Sequence, residues 1–233
     1  MSLDFNIVKK QALQIVTRCA EEYEKELNKI IGISCLYAWI STIKFPTMRF
    51  FFVPLFFLHL TGFKLRNWTG YIQGNNDSSS TDQQDDYAMP AYIFYNRCLQ
   101  HRIGTDDFDF ADENYTNQKL EVLPSVLNKN LSANMIGNYD SSHPLLYTEK
   151  LIGGVKACIG FIKRESDGMY IPNTVMKTDL RKITTSYVRI IATYRKDVTD
   201  TQYSEIVYSA KKIDWSKVQF SKEYAYLPKP TQE

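Results

Sequence analysis

The sequence predicts an α+β protein in which N-terminal helices pack on a C-terminal antiparallel sheet of about four strands. Two observations support this fold class. Helical periodicity dominates residues 1–45, and turn sequences separate strand-like runs in residues 150–212. Helices that precede a series of strands are typical of α+β proteins, because neighbouring strands then pair without helical crossovers. We expect one domain over residues 1–233.

The first predicted element is a long helix over residues 4–31. Apolar residues from Ile7 to Leu27 recur at intervals typical of a helix, and charged residues occupy the other positions. A shorter helix or strand is expected at residues 33–43. The region 1–45 is therefore predicted to be mainly helical.

Residues 46–66 combine a predicted strand with a histidine motif. Arg49–Val53 favours a strand, and Pro54 ends it because proline cannot donate a ladder hydrogen bond. Phe56–Leu60 is then expected to lead into a Thr-Gly turn.

Polar stretches alternate with shorter elements in the middle of the chain. Residues 71–88 are rich in Asn, Asp, Ser and Gln, so we expect a mobile polar loop. Ala91–Arg102 favours a helix, and Tyr115–Asn128 is expected to begin as a strand or turn and to continue as a short helix. Residues 134–146 are expected to form a loop.

Two basic antiparallel hairpins are predicted within residues 150–212, each consisting of two apolar runs that flank a turn. A short helix over Asp179–Ile183, with Thr178 as its N-cap, is expected between them. The four predicted strands are Val155–Lys163, Tyr170–Val175, Tyr187–Arg195 and Tyr203–Lys211.

Composition limits the class of protein. The apolar fraction of 44% and the charged fraction of 23% are typical of a globular protein. The longest apolar run, Phe50–Leu60, has about half of the ~20 residues that a membrane helix needs, so no membrane association is expected. The N-terminus lacks the apolar core of a signal peptide. The 4 cysteines lack CxxC spacing, which argues against zinc or disulfides and favours buried thiols.

Charge is unevenly distributed although the net charge is only +2. Residues 70–121 carry ten acidic and three basic residues, whereas residues 150–196 carry ten basic and three acidic residues. The basic half suggests an anionic partner, of which nucleic acid is the commonest. A solvated sheet face that carries Lys and Arg is the alternative explanation.

His59 is the main candidate for catalysis. Histidine is the side chain whose ordinary pKa lies nearest neutrality, which makes it a natural proton shuttle. The apolar run that precedes His59 is expected to fix the imidazole and to remove part of its hydration. A structural histidine beside the core is the alternative interpretation.

The remaining chemistry is expected to be metal-free, because the sequence has neither a phosphate-binding glycine loop nor a zinc motif. Cleavage of RNA by its own 2′-hydroxyl needs a base, an acid and cations that stabilise the phosphorane. His59 is the expected acid or base, and Arg195 and Lys196 are the expected cations. A structural role is the alternative for each candidate hydroxyl donor. These donors are Thr61, Tyr203 and Ser204.

Eight short motifs follow one another between about residue 45 and residue 218. In this order they resemble the nucleases of phages and conjugative elements that belong to the barnase–EndoU–colicin–RelE superfamily, in particular the fourth type of the phage group. The motifs are Phe57–Gly62, Leu123–Pro124, Asn128–Ala133, Met135–Tyr139, Leu146–Leu151, Gly154–Phe161, Tyr170–Thr174 and Tyr203–Tyr208.

The resemblance implies a metal-independent ribonuclease fold with helices packed on a four-stranded antiparallel sheet. It also implies that the family histidine corresponds to His59. We accordingly expect RNA as the partner, no cofactor, and a bacterial cytoplasm as the location. The residues expected to line the substrate groove are Lys156, Asn173, Arg181 and Tyr203, with Tyr203 stacking on a base.

Two other functions are open at this point. An inert interaction module would use the same basic sheet to bind nucleic acid or a protein. A toxin nuclease would have a cognate inhibitor protein, and the acidic region 70–121 would then shield the site by imitating phosphate.

Overall fold

A computed structural model describes residues 2–36, 42–43, 48–66, 85–127, 133–142, 147–216 and 218–230. The α+β class is confirmed, since these residues contain four α-helices and an eight-stranded mixed sheet. The predicted number of about four strands is too low, since the main sheet has eight. The predicted mobile loop lies outside the described residues except for residues 85–88, which begin a helix.

The helices have clear local causes at their ends. Pro54 occupies the first turn of α2, where its missing N–H costs nothing, and Gly62 ends that helix with a φ of 76°. Asp112 caps α4, because its carboxylate accepts a hydrogen bond from the Tyr115 N–H at 2.7 Å. The helices are α1 (Ser2–Glu24), α2 (Pro54–Thr61), α3 (Asp85–Leu99) and α4 (Glu113–Val126).

The strands extend over most of the chain, and short 3₁₀ turns at Leu180–Lys182 and Lys222–Tyr224 complete the regular structure. The strands are β1 (Lys29–Leu36), β2 (Thr42–Ile43), β3 (Met48–Phe50), β4 (Phe63–Leu65), β5 (Phe108–Phe110), β6 (Met135–Tyr139), β7 (Lys150–Gly153), β8 (Cys158–Lys163), β9 (Tyr170–Met176), β10 (Thr184–Asp197), β11 (Glu205–Ser209) and β12 (Gln219–Phe220).

The main sheet has the order β1-β3-β9-β8-β7-β6-β10-β11, and β1 also pairs with β10. Seven strands therefore close into a ring, with β11 attached outside it. The long strand β10 makes this possible, because residues 184–189 pair with β6 and residues 189–197 pair with β1. Both predicted hairpins are confirmed, as β8–β9 and β10–β11.

Two local predictions are wrong. The helix predicted over residues 4–31 is too long, because α1 ends at Glu24 and the β-branched run that follows forms β1. Phe56–Leu60 leads into the predicted Thr-Gly turn as part of the helix α2, which Pro54 starts. Residues 134–146, expected to be a loop, contain β6.

Two smaller predictions also need correction. The 3₁₀ turn between the hairpins has Asp179, and not Thr178, as its N-cap. Residues 115–128 do not begin as a strand, because α4 already starts at Glu113. The buried thiols are confirmed, since all four cysteines are buried and reduced. In the described part of the chain, no helix has both the length and the apolar character needed to cross a membrane.

The sheet has two covered faces. Ile31 and Ile33 of β1 pack with the four helices, and we call this side the inner face. Ile30 points to the opposite side, the outer face, where it packs with Tyr194 and Trp215. The alternation of side chains along a strand explains why neighbouring residues belong to different cores.

Candidate active site

His59 lies on α2 with its side chain exposed, although its neighbours Leu58 and Leu60 are buried. Helical spacing turns the apolar residues of α2 towards the inner face and leaves His59 on the outer side of the helix. The ring of Phe56 lies 5.9 Å from the imidazole, measured between ring centroids. The imidazole is therefore exposed to solvent with an aromatic ring beside it.

Lys119 of α4 joins His59 to the next helix. Its side chain is buried, and its Nζ donates a hydrogen bond to the backbone carbonyl of His59 at 2.6 Å. The same Nζ lies 5.0 Å from the centre of the Tyr115 ring. A second contact fixes the two helices, because the Thr116 hydroxyl donates to the Gly62 carbonyl at 2.8 Å.

Gly62 permits this close approach of α2 and α4. A Cβ at this position would lie 3.0 Å from the Thr116 Oγ1 and 3.2 Å from the Lys119 Cδ. Its φ of 76° is also a left-handed value that favours glycine. The glycine that follows the histidine motif thus keeps Lys119 close to the end of α2.

Burial and charge change the pKa values of His59 and Lys119. The surrounding protein removes part of the hydration of the imidazole, and this lowers the pKa of His59 even though the ring reaches solvent. The nearby charge of Lys119 lowers the pKa of His59 further. Burial lowers the pKa of Lys119 to about 8. At neutral pH the pair thus consists of a neutral imidazole and a mostly protonated, acidic ammonium.

A cavity of about 530 Å³ lies between α4 and the sheet, and Lys119 is part of its wall. Tyr115 and Tyr139 contribute aromatic surface, and Lys177 contributes a second cation. Lys177 is paired with Glu121 at 2.5 Å. The cavity is within the size range of pockets that hold small ligands.

The ion pairs of Arg195 are made with neither His59 nor Lys119. Its guanidinium pairs with Glu26 at 2.7 Å and with Glu205 at 2.6 Å. The side chain is 15% exposed, so the ion pairs are largely shielded from water. This arrangement ties β10 to β11 and to the turn after α1, which is a structural role.

Lys196 follows Arg195 on the strand and therefore points to the opposite side of the sheet. Its Nζ donates to the Asp200 carbonyl at 2.5 Å and lies 5.6 Å from the centre of the Tyr203 ring. Tyr203 is buried in the outer core, and Ser204 is exposed beside it. The sheet thus separates these residues from α2, which packs on the inner face.

Thr61 has a local structural role in the described arrangement. Its hydroxyl is buried, donates to the Leu58 carbonyl at 2.8 Å, and accepts from the Phe63 N–H at 3.1 Å. These bonds shape the turn that connects α2 to β4.

The residues expected to line the groove are distributed over several places. Asn173 accepts from the Thr148 hydroxyl at 3.0 Å and donates to the Tyr147 carbonyl. Arg181 pairs with Asp179 at 2.6 Å. Lys156 is exposed in the turn before β8. The contacts of Asn173 hold the segment before β7 against β9, and the ion pair of Arg181 stabilises the 3₁₀ turn.

The basic half of the chain is partly neutralised by its own ion pairs, and so presents less positive charge than its composition suggests. Four of its ten basic residues are involved. The pairs are Arg164 with Asp167, Lys177 with Glu121, Arg181 with Asp179, and Arg195 with Glu26 and Glu205. Within the described residues, no group of three His, Cys, Asp or Glu side chains is arranged to hold a metal ion.

Lys119 is the residue that the sequence analysis missed. One signal was available, because Lys119 lies in the same helical stripe as Thr116, Leu120 and Leu123, all of which are buried. A lysine in the inward stripe of a helix needs a partner for its charge. The sequence alone does not reveal that the partner is the carbonyl of His59.

Comparison with known proteins identifies one family. No curated protein and no solved structure matches the chain. One family model, described as phage-Barnase-EndoU-ColicinE5/D-RelE like nuclease4, matches residues 15–212. This range includes His59, Lys119 and both hairpins, and nucleases act on nucleic acids. Because the match covers most of the chain, the protein belongs to this family of nucleases, PBECR4.

Proposed function

We propose that the protein is a metal-independent ribonuclease in which His59 and Lys119 perform the proton transfers. One observation carries the proposal: the 2.6 Å bond from the Lys119 Nζ to the backbone carbonyl of His59 holds a buried ammonium next to the turn of α2 that carries the exposed imidazole. The lowered pKa of His59 supports the role of base, because the neutral imidazole predominates at pH 7.

The proposed reaction begins at the 2′-hydroxyl of the substrate. His59 accepts the hydroxyl proton while the 2′-oxygen forms a bond to the adjacent phosphorus. The positive charge of Lys119 stabilises the negative charge that develops on the phosphorane oxygens. The bond from phosphorus to the 5′-oxygen then breaks, and Lys119 donates a proton to that oxygen. The products are a 2′,3′-cyclic phosphate and a free 5′-hydroxyl.

The pKa of Lys119, lowered by burial to about 8, suits this acid. A proton donor is most effective when its pKa lies near the working pH, and an ordinary lysine is too weak an acid. The cavity beside Lys119 offers Tyr115 and Tyr139 as aromatic surfaces for a base. In this proposal His59 keeps its expected role, and Lys119 takes the role expected of Arg195 and Lys196.

The test is the cleavage of a labelled single-stranded RNA in EDTA by the wild type and by His59→Asn. We expect the variant to cleave at least about 100-fold more slowly, as is usual for the loss of a general base. His101→Asn is the matched control. His101 is exposed near Glu21, 3.4 Å away, and its φ of 54° is one that asparagine tolerates.

The substrate provides a second control. DNA of the same sequence and RNA with 2′-O-methyl groups lack the nucleophile, so both should remain intact. Equal rates for the wild type and His59→Asn would refute the assignment. If the wild type cleaves no RNA, the inert binding module becomes the better description of this domain.

A further inference from the structure

A second cleft, of about 470 Å³, lies on the outer face of the sheet. It is separated from His59 by the strands, because α2 packs on the inner face. We call it the tyrosine cleft. The residues of its wall that matter here are Arg49, Met169, Lys196, Tyr203, Tyr224 and Tyr226.

Strand alternation and the C-terminal segment create this cleft. Met48 and Phe50 of β3 are buried, so Arg49 between them points away from the inner core. The 3₁₀ turn Lys222–Tyr224 carries the last two tyrosines over the same surface. Its position is fixed in part by the Tyr203 N–H, which donates to the Tyr226 hydroxyl at 3.2 Å.

Arg49 gives the cleft an available cation. Its side chain is exposed, and among the described residues no carboxylate or carbonyl is bonded to it. Arg49 lines the cleft together with Tyr203 and Tyr224. Two carboxylates also line the cleft, Asp167 and Glu223.

Only one of the two carboxylates can offset this charge. Asp167 is bonded to Arg164 and to the Met169 N–H, so its charge is already balanced by another arginine. Glu223 is hydrogen-bonded to Tyr224, a neutral partner that does not balance a carboxylate. Lys196 adds a second cation 5.6 Å from the centre of the Tyr203 ring, so the two cations of the cleft, Arg49 and Lys196, outnumber Glu223.

We infer that the tyrosine cleft binds a nucleotide of single-stranded RNA, with its phosphate on Arg49 and its base on Tyr226. Aromatic rings next to Arg or Lys are the usual surface for an unpaired nucleotide, because the rings stack on the base while the cations hold the backbone. The ring of Tyr226 is 37% exposed and therefore available for stacking. The inference rests on the proposed function only in taking RNA as the ligand.

The test measures binding separately from cleavage. A fluorescent single-stranded 2′-O-methyl RNA of about ten nucleotides covers a site of the usual size and cannot be cut by 2′-hydroxyl attack. We expect the Kd from fluorescence anisotropy to rise about tenfold for Arg49→Gln and for Tyr226→Ala, as is usual for the loss of one stacking or cationic contact. Arg49→Gln should also reduce the salt dependence, by about 0.7 in the slope of log K against log salt.

Two controls identify the cause of any change. Tyr226→Phe keeps the ring and removes only the hydroxyl that accepts from the Tyr203 N–H, so a Kd near that of the wild type would assign the effect of Tyr226→Ala to the lost ring. The urea midpoint of Tyr226→Ala shows whether that variant is folded. His59→Asn should bind normally, so failure of the catalytic proposal would leave this result unaffected. The inference is overturned if the wild type does not bind the probe, or if Arg49→Gln binds as tightly as the wild type. A change for Arg49→Gln without one for Tyr226→Ala would overturn the stacking of the base.

Discussion

At the scale of single residues, the helix is what leaves His59 accessible. In a strand, Phe57, His59 and Thr61 would share one face, whereas here the first and last are buried and His59 is exposed. The phenylalanines therefore anchor the helix and do not enclose the imidazole. The chemistry of His59 then depends on the charge beneath it, which belongs to Lys119.

The first prediction concerns the pKa of His59. The value should lie below 6.5, because desolvation and the charge of Lys119 both disfavour the imidazolium form. Lys119→Met removes the charge and should raise the pKa of His59. The measurement is an NMR titration of the imidazole signals, assigned with His59→Asn and His101→Asn. A pKa that stays constant or falls in Lys119→Met would contradict the coupling.

The same shift should appear in the kinetics. A base works only when it is unprotonated, so the acidic limb of kcat/KM should have its midpoint below pH 6.5 in the wild type. Any residual activity of Lys119→Met should have that midpoint at higher pH.

The second prediction separates structure from catalysis at Arg195. Replacing Arg195 by Met leaves Glu26 buried without its partner, and breaking such a pair usually costs about 3–5 kcal/mol. We expect urea unfolding to show a loss of this order, while the folded variant retains the kcat of the wild type. Lys196→Met is the control, with a loss below about 0.5 kcal/mol as is usual at the surface. A 100-fold loss of kcat in folded Arg195→Met would restore its catalytic role.

At the scale of elements, the sequence predicts correctly those strands whose partners lie close by in the chain, and it fails for strands whose partners are distant. Both C-terminal hairpins have their turns and their alternating runs in one stretch of sequence, and they form as expected. The helix predicted over residues 4–31 overlaps the start of β1, and the sequence leaves residues 33–43 open between helix and strand. The strand state of β1 comes from pairing with β10, where Ile31 lies opposite Arg195, far away in the sequence.

The candidate site likewise has one residue that is recognisable from local sequence and one that depends on a distant contact. His59 was recognisable from its motif, whereas Lys119 has meaning only through the contact between α2 and α4. Arg195 and Lys196 show that closeness in sequence does not bring two side chains together. They are adjacent in sequence, but they lie on one strand, which directs their side chains to opposite faces of the sheet.

The third prediction tests how closely β7 and β8 approach each other. A Cβ on Gly153 would lie 2.6 Å from the Cα of Cys158 and would also meet the Ala157 carbonyl. Gly153→Ala should therefore lower the free energy of unfolding by about 1–3 kcal/mol, the usual cost of overpacking. Gly104→Ala is the control, since its nearest contact would be 3.6 Å away at Asp107. Equal unfolding midpoints in urea would show that the backbone at Gly153 relaxes freely.

At the scale of the whole molecule, the packed structure continues beyond the residues that the family model matches. The family model ends at residue 212, but the outer core includes three later residues, Trp215, Val218 and Leu227. These cover Tyr194 and Tyr203, which belong to the matched stretch. The C-terminal segment thus seals the outer face in the same way as the helices seal the inner face, and it also completes the tyrosine cleft.

The fourth prediction tests this sealing role. Trp215 is 5% exposed, and replacing a buried tryptophan by alanine usually costs about 3–5 kcal/mol. We expect Trp215→Ala to lower the urea midpoint correspondingly and to weaken RNA binding, because Tyr224, which packs on the outer core and lies next to Tyr226, would lose that support. Tyr147→Ala is the control, as this aromatic side chain is 82% exposed and its loss should leave the midpoint unchanged. If both variants unfold at the wild-type midpoint, residues 213–230 are an appendage and the functional domain ends where the family model does.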